Sequence, residues 1–294
     1  MEFLFDTVMM FPLLGVLSAT ALMSNMDLSS RMAGGSIADY TPWIAMLSYG
    51  DVNSRFQCGA SILTERHLLT AAHCVSAAYV NGSLTRSYMA TVGTNIRDGS
   101  GQNYSIIGNY THPEYAMNLA KNDLGILITN TSIKFSLLVD QVTLNFNTVG
   151  EGVYVVVYGY GSSGVKNPLS TELEELGMFT VNSSYCFEET QRVAKEKLGF
   201  SPPHVYPEAE ICAFKGFGKG TCKGDSGSPL VCADNYQQVG ITSWGIPCAL
   251  GAPDIFTRLS FYKEWILSVL DKMGYKYQLK YTMDKCSSIY DNFN

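Results

Sequence analysis

The sequence lacks the features by which several classes of protein are recognised. No cluster of lysine and arginine occurs in its 294 residues, and the formal net charge of −6 argues against a nucleic-acid-binding surface. No Cys-x-x-Cys pair occurs, so zinc held by thiolates is not expected. Repeats and low-complexity linkers are absent, and long helical periodicity is confined to the C-terminal part. These absences favour a globular protein, poor in helix, that needs no metal and no cofactor.

The eight cysteines indicate disulfide bonds made in an oxidising compartment, because they follow an apolar leader. Residues 3–21 are mostly apolar and end in Ala-Thr-Ala, a small-x-small site for signal peptidase. An uncleaved membrane anchor is the alternative, but Asp6 and Pro12 weaken a spanning helix. We predict a signal peptide at 1–21 and a secreted, extracellular protein with no membrane segment.

Short runs rich in β-branched and aromatic residues, separated by turn residues, predict strands over most of the chain. These runs are 43–47, 61–63, 88–92, 124–128, 153–158, 177–181, 227–231, 238–243 and 253–259. Their even spacing favours closed β-barrels over a parallel sheet. An apolar stripe of helical period predicts a helix at 261–273, capped by Ser260 and ended by Gly274, and a shorter helix is predicted at 188–198.

The stretch 220–230, Gly-Thr-Cys-Lys-Gly-Asp-Ser-Gly-Ser-Pro-Leu, presents a serine between glycines. Gly224 and Gly227 let the backbone turn sharply, so that the hydroxyl of Ser226 stands out as a nucleophile. The same turn can direct the amides of Gly224 and Ser226 at one point, which would form an oxyanion hole. Such a composition also makes ordinary β-turns, so the stretch alone is a weak signal.

Two upstream motifs supply the other groups that an activated serine needs. Thr-Ala-Ala-His-Cys at 70–74 offers His73 as a base, and Asn-Asp-Leu-Gly-Ile-Leu at 122–127 offers Asp123 as a carboxylate that orients it. Taken singly, the histidine could be a packed core residue and the aspartate a turn cap. Together the three stand in the chain order His, Asp, Ser, and the sequence resembles the chymotrypsin and trypsin family of serine proteases.

This resemblance covers most of the chain and implies its fold. An all-β architecture is expected, with two packed six-stranded antiparallel β-barrels at about 32–145 and 146–260 and the C-terminal helix at 261–273. The protease domain would span 32–274, and 275–294 would be a C-terminal extension. His73 and Asp123 would come from the first barrel and Ser226 from the second.

The implied activity is that of a secreted serine endopeptidase (a hydrolase) that cleaves peptide bonds through an acyl-enzyme. Ser226 would attack the carbonyl, His73 would carry the proton and Asp123 would hold the imidazole. The expected partners are a protein or peptide substrate, an activating protease and protein inhibitors, with neither nucleic acid nor membrane. A catalytically silent homologue that acts as a binding protein is the alternative from another class.

The resemblance also implies a zymogen. Cleavage after Arg31 would remove a propeptide at 22–31 and free the amine of Met32, where the family usually has Ile or Val. The new ammonium would pair with Asp225 and fix the turn beside Ser226. The alternative is that Arg31 is an ordinary linker residue.

The specificity pocket resembles that of crab collagenolytic serine proteases and insect chymotrypsin-like enzymes. Gly220 replaces the acidic floor of trypsin-like pockets, and Asp254 stands on the wall instead, which implies cleavage after large apolar and also basic residues. A narrow chymotrypsin-like preference remains open, as does a one-residue slip that would leave Asp254 in a solvated loop. The other implied substrate-binding residues are Thr221, Lys223 at the rim, Ser243, Trp244 and Gly245.

Family pairing implies three disulfides, Cys58–Cys74, Cys186–Cys212 and Cys222–Cys248. Cys232 and Cys286 are left over and are expected to pair, although a free or intermolecular Cys286 is the alternative. The calcium-binding loop of vertebrate relatives needs clustered carboxylates, and the segment from His73 to Asp123 offers few, so no metal is expected. Asn-x-Ser/Thr glycosylation sites, typical of a secreted glycoprotein, occur at Asn81, Asn103, Asn109, Asn130 and Asn182.

Overall fold

A computed structural model of the chain describes residues 32–49 and 55–288. The predicted signal peptide at 1–21 and the propeptide at 22–31, with Arg31, lie outside these residues. None of the helices described in the two ranges is long and apolar enough to cross a membrane.

The N-terminal half is built mainly from strands. In chain order they are β1 (Ser36–Ile37), β2 (Ile44–Tyr49), β3 (Arg55–Thr64), β4 (His67–Thr70), β5 (Tyr79–Val80), β6 (Ser83–Leu84), β7 (Met89–Val92), β8 (Gln102–Thr111) and β9 (Gly125–Thr129). A short helix, α1 (Ala72–Ala77), follows β4, and a 3-10 turn lies at Met117–Leu119.

The C-terminal half continues the strands and holds the longer helices. Its strands are β10 (Leu144–Asn145), β11 (Tyr154–Gly159), β12 (Glu174–Val181), β13 (Glu210–Phe214), β14 (Pro229–Cys232), β15 (Gln238–Gly245), β16 (Asp254–Arg258) and β17 (Tyr281–Thr282). The helices are α2 (Ser183–Leu198) and α3 (Lys263–Lys272), and a 3-10 turn lies at Lys276–Gln278.

The first barrel is closed in the antiparallel order β2, β3, β4, β9, β8, β7. Strand β7 shows the alternation that a barrel requires, because Ala90 and Val92 are buried while Met89 and Thr91 are half-buried. Strand β4 is buried on both faces. The chain beyond α3 packs against the outside of this barrel. There the ring of Tyr275 contacts the ring of His67, with 4.7 Å between the ring centroids.

The second barrel has the order β14, β11, β12, β13, β16, β15, and pairing of β14 with β15 closes it. All six contacts are antiparallel. Strand β1 pairs with the start of β12, and β10 and β17 extend the sheet beyond β15. The predicted fold class, two closed six-stranded antiparallel barrels with a C-terminal helix, is confirmed.

The two barrels pack through apolar residues from facing strands. Ile44 and Met46 of β2 share a buried cluster with Tyr158 of β11 and Val231 of β14. Burying apolar side chains contributes roughly 25 cal/mol per Å² removed from water, so this seam holds the two halves together. The apolar face of α3 also packs into the core of the first barrel. This contact therefore links the C-terminal half of the chain to the N-terminal half.

Both longer helices differ from the sequence prediction at their first turns. Helix α2 begins at Ser183 rather than at 188, because Asn182 caps it by accepting the Tyr185 amide at 2.8 Å. The predicted cap of α3 at Ser260 is wrong: Tyr262 occupies that position, without a side-chain cap. Residues 258–262 form a turn first, since the Tyr262 amide donates to Leu259. The predicted end at Gly274, with φ +77°, is confirmed.

All four predicted disulfides are present. They are Cys58–Cys74, Cys186–Cys212, Cys222–Cys248 and Cys232–Cys286. The last ties the C-terminal extension to β14 of the second barrel. Parallel pairing of β17 with β10 holds the extension to the same sheet.

Removing the Cys232–Cys286 bridge should destabilise the protein without touching the cleft. We expect the double substitution Cys232→Ala and Cys286→Ala to lower the free energy of unfolding in urea by about 2–4 kcal/mol, because the bridge closes a long loop in the unfolded chain. The matched control is Lys280→Ala, which removes the exposed ion pair with Asp140 and should cost at most about 1 kcal/mol. A double variant as stable as the control would contradict the assignment.

Candidate active site

Two side chains of the first barrel meet at its edge. His73 lies in α1, directly after β4, and Asp123 lies two residues before β9. The Nδ1 atom of His73 is 2.8 Å from Oδ2 of Asp123, and the His73 backbone amide donates to Oδ1 at 2.9 Å. One buried carboxylate therefore fixes both the backbone and the ring of the histidine.

The second barrel supplies further contacts to Asp123. Ser243 Oγ of β15 donates to Oδ2 at 2.6 Å, and Thr257 Oγ1 of β16 donates to the Asp123 carbonyl at 2.8 Å. Because an ionised carboxylate can only accept, Nδ1 of His73 carries the hydrogen and Nε2 is left as an acceptor. The sequence assigned Ser243 to substrate binding and missed its contact with Asp123, 120 residues away.

The environment of His73 sets its basicity by two opposed effects. Burial lowers its pKa, but the charge of Asp123 and the hydrogen bond to it together outweigh burial and leave the pKa raised. The His73 side chain is 30 % exposed, so part of the ring is open to solvent. A histidine in this setting is a competent proton acceptor.

Ser226 stands in a turn of the second barrel that contacts the first barrel. The Gly59 amide of β3 donates to the Ser226 carbonyl at 2.8 Å. Gly227 has φ +77°, and a Cβ there would lie 2.3 Å from Thr70 Oγ1 and 3.2 Å from Cys74 Sγ. Only glycine permits this approach, which brings the serine turn beside the segment that carries His73.

The contact between Ser226 and His73, which would complete a catalytic triad with Asp123, is not formed. Among the described residues no hydrogen bond joins Ser226 Oγ to His73, and Nε2 of His73 lies 3.6 Å from Cys74 Sγ instead. Catalytic hydrogen bonds are often long or misaligned in ligand-free sites and tighten when substrate binds. The structure thus brings His73 and Asp123 into contact and places Ser226 in the adjacent turn.

The backbone around Ser226 leaves two amides available. Gly224 adopts φ +98°, and neither its N–H nor that of Ser226 donates to an acceptor within the described residues. The turn is held by other contacts: the Lys223 carbonyl accepts from Ser162 at 2.9 Å and the Asp225 carboxylate accepts two backbone amides. Two free N–H groups on a fixed turn are what an oxyanion hole requires.

A cavity of about 200 Å³ opens next to Ser226. The predicted pocket residues among its lining are Thr221, Lys223, Ser243, Trp244, Gly245 and Asp254. Gly220 lies behind this lining, where a Cβ would come within 2.8 Å of the Asp254 carboxylate. The lack of a side chain at Gly220 therefore makes room for the acid on the neighbouring strand.

Asp254 begins β16 and is 5 % exposed, so the alternative that placed it in a solvated loop is wrong. Its oxygens accept from Thr221 Oγ1 at 2.8 Å and from the Thr221 amide at 3.0 Å. Burial raises the pKa of Asp254 to about 7, although the hydrogen bonds from Thr221 oppose the rise. The pocket therefore contains an acid that can change its charge near neutral pH.

Comparison with known proteins identifies the family. The Trypsin family model matches residues 33–266. The chain belongs to the trypsin family. It is similar to chymotrypsin-2 of Vespa crabro, with 31% identity over 71% of this chain and 87% of that protein. It is also similar to alkaline trypsin B of Manduca sexta, with 30% identity over 86% and 95%, and to the clotting factor G beta subunit of Tachypleus tridentatus, with 30% over 82% and 80%.

This membership confirms the predicted family and makes the chain a serine endopeptidase. Matched relatives carry both chymotrypsin and trypsin in their names, so the comparison does not choose between the two pocket types.

In this trypsin-family enzyme a charged cluster that the sequence did not reveal supports Trp244. Its Nε1 donates to Glu210 at 2.8 Å, and Lys121 pairs with the same carboxylate at 2.7 Å. The Lys121 ammonium lies 5.3 Å from the Trp244 ring. The three groups come from different parts of the chain, and the cluster fixes the indole of Trp244 in the lining of the cavity next to Ser226.

The Met32 segment of the protease is inserted in the second barrel. Met32 is fully buried, and the Gly220 amide donates to the carbonyl of Ala33 at 3.0 Å, below the pocket. The predicted pair of Met32 with Asp225 concerns the ammonium that cleavage would free, and it stays a prediction; in the uncleaved chain the Met32 peptide nitrogen donates to Oε2 of Glu174. In the uncleaved chain this nitrogen is a peptide amide with one hydrogen, whereas Asp225 accepts the amides of Gly161 and Cys222.

The remaining candidate sites are the five sequons and one possible group of metal ligands. Four of the five sequons are on exposed asparagines, and Asn109 is half buried, with its Nδ2 donating to the Tyr79 hydroxyl at 2.9 Å. Within the described ranges the His/Cys/Asp/Glu group close enough to share an ion is Cys58, His73 and Cys74. Both of its cysteines are bonded to each other, so no thiolate is offered there.

Proposed function

We propose that this serine endopeptidase is secreted, is made as a zymogen that is cleaved after Arg31, and cuts proteins or peptides after large apolar and basic residues. Four disulfides and exposed sequons support an oxidising, extracellular setting. Its partners would be the substrate, an activating protease and protein inhibitors.

The chemistry would run through an acyl-enzyme. His73 Nε2 takes the proton of Ser226 as its oxygen attacks the scissile carbonyl, and Asp123 stabilises the imidazolium that forms. The amides of Gly224 and Ser226 stabilise the oxyanion. His73 then protonates the leaving amine, and water clears the acyl group by the same steps in reverse.

The proposed specificity rests on one observation, the Asp254 carboxylate packed against Gly220. A carboxylate at the side of the pocket can meet the tip of a lysine or arginine through charge-assisted hydrogen bonds. The floor itself carries no side chain, so apolar wall remains for leucine, phenylalanine or tyrosine. A peptide-library profile confined to arginine and lysine would overturn this assignment, and one without any basic residue would favour a narrow chymotrypsin-like enzyme.

The preference should depend on pH because Asp254 is neutral below its pKa of about 7. We expect the ratio of kcat/KM for an arginine substrate to that for the matched phenylalanine substrate to rise about tenfold from pH 6 to pH 8 as the carboxylate ionises. Titration of His73 affects both substrates equally and cancels in the ratio. The pH dependence of kcat/KM reports the pKa values of groups in the free enzyme. The experiment therefore measures the ionisation of Asp254 in the empty pocket.

The control for this experiment is Asp254→Asn, which keeps a hydrogen-bonding side chain and removes the charge. Its ratio should be low and should not vary with pH. A wild-type ratio that stays flat across the same range would contradict the role of Asp254.

A further inference from the structure

The pocket that holds Met32 contains a second buried acid besides Asp225. Glu174 begins β12, and its Cα partners in the sheet are Ile37 of β1 and Gly159 of β11. It is 3 % exposed. Its Oε1 accepts from Ser170 Oγ at 2.9 Å, and its Oε2 accepts from the Met32 nitrogen. A glutamate at the start of a strand thus points inward at the chain segment that activation would alter.

Asp225 lies on the neighbouring side of the same pocket. It is fully buried, and a Cβ at Gly159 or Gly161 would collide with its carboxylate at 2.0 and 2.1 Å. Within the described residues no lysine, arginine or histidine forms an ion pair with Asp225. Burial raises its pKa to about 7, and the nearby charges of Asp254 and Glu174 add to the rise. Among the described residues Asp225 therefore has no cation beside it, and the charge of Glu174 lies near enough to disfavour its ionised form.

The cation would come from the cleavage after Arg31, so this inference rests on the proposed zymogen. A peptide nitrogen at Met32 is neutral and has one hydrogen, which Glu174 already takes. Cleavage converts it into an ammonium with three hydrogens and one positive charge. A buried charge without a partner is costly, so Asp225 gains from the new charge, and Glu174 keeps the contact that it already makes with the Met32 nitrogen.

We propose that Glu174 is the first acceptor of the Met32 ammonium and that the activated enzyme holds this group between two carboxylates, Glu174 and Asp225. Glu174 is a positioning residue: it seats the ammonium, and Asp225 transmits the insertion to the turn that carries Gly224 and Ser226. The sequence placed this role on Asp225 alone.

The test uses the full chain cleaved after Arg31, with Met32 verified as the new terminus, and Glu174→Gln as the variant. Cyanate modification of the Met32 amine is followed by mass spectrometry, beside kcat/KM. We expect the amine to react at least tenfold faster in Glu174→Gln. The matched control is Glu175→Gln, the next residue, whose side chain hydrogen-bonds to Tyr158 rather than facing Met32. Its amine should react as in the wild type.

A pH profile separates positioning from a merely structural role. An α-amino group has an ordinary pKa near 8, and two carboxylates raise it, so the active form is present below the raised pKa and is lost as pH rises through it. In Glu174→Gln this alkaline limb should move about one pH unit lower. The other charged groups near the segment are Asp225, Asp254 behind it, Arg97 on the Ser170 carbonyl, and Lys219 against Gly34.

A second variant keeps the inference testable if Glu174→Gln does not fold. Asp225→Asn should lose activity and yet keep the Met32 amine slow to react, since Glu174 still holds it. The role of Glu174 would be overturned if the Met32 amine reacted freely with cyanate in Asp225→Asn, or if it reacted at the wild-type rate in a folded Glu174→Gln. Either result would leave the zymogen proposal standing. A wild-type chain that gains no activity on cleavage after Arg31 would overturn the zymogen proposal as well.

Discussion

Replacing Ser226 with alanine is expected to lower kcat about a millionfold after cleavage at Arg31. Without the hydroxyl no acyl-enzyme can form, and losses of this order follow removal of the nucleophile from a serine protease triad. Adding His73→Ala to Ser226→Ala should lower kcat little further, because the two residues act as one unit. The measurement is turnover of a peptide substrate by the purified variant. Residual catalysis over water would come from the oxyanion hole and substrate binding.

The control for Ser226→Ala is Ser287→Ala, an exposed serine in the C-terminal extension, which should retain full activity. Both variants should unfold at the same urea concentration as the wild type. Activity of Ser226→Ala within a hundredfold of the wild type would exclude Ser226 as the nucleophile.

The substitution Asp123→Asn should lower kcat about ten-thousandfold with the fold intact. The amide of an asparagine would donate to Nδ1 of His73, which forces the hydrogen onto Nε2 and removes the acceptor for the Ser226 proton. The pKa of His73 should also fall, because burial lowers it and the charge of Asp123 would no longer oppose this effect. The acid limb of kcat/KM should then move to lower pH.

Ser243→Ala is the comparison for Asp123→Asn, because it leaves the carboxylate and removes one of its donors. Its loss should be at most about a hundredfold, the range for a hydrogen bond to a charged group. If Asp123→Asn lost less activity than Ser243→Ala, Asp123 would not be the residue that orients His73.

The parts of the site that the sequence predicted are carried by short, local motifs. Glycines on both sides of Ser226 specify a turn that other residues cannot adopt, and the positive φ at Gly224 and Gly227 is in accord with this. The placement of Asp254 followed from its distance to Cys248 in the family pattern. Such signals depend on neighbours in the chain, so they are readable without a structure.

The contacts that were missed join residues far apart in sequence. Nothing near Ser243 indicates that its hydroxyl reaches Asp123, since the two lie in different barrels. Nothing near Glu174 in the sequence indicates its contact with Met32, which forms where β12 pairs with β1. Local capping rules also failed where a tertiary contact decides the structure. The Tyr262 hydroxyl donates to Oδ1 of Asn122 at 2.9 Å, and α3 begins beyond Ser260.

The strands that escaped prediction show the same limit. Strand β8 buries only Tyr104 and Ile106, its other apolar residues Ile107 and Tyr110 are exposed, and the rest are polar or glycine, so no clear alternation marks it as a strand. It forms because β7 and β9 supply partners on both sides. A strand fixed by its neighbours carries little signal of its own.

The most direct test is labelling with a serine-directed phosphonate, because the reagent reacts only where a hydroxyl, an acceptor nitrogen and oxyanion donors converge. After cleavage at Arg31 the wild-type chain should take up one phosphonate, and peptide mass spectrometry should find it on Ser226. The label should be absent from Ser226→Ala and nearly absent from His73→Ala. An activated chain that stays unlabelled, or carries the phosphonate on another residue, would contradict the account.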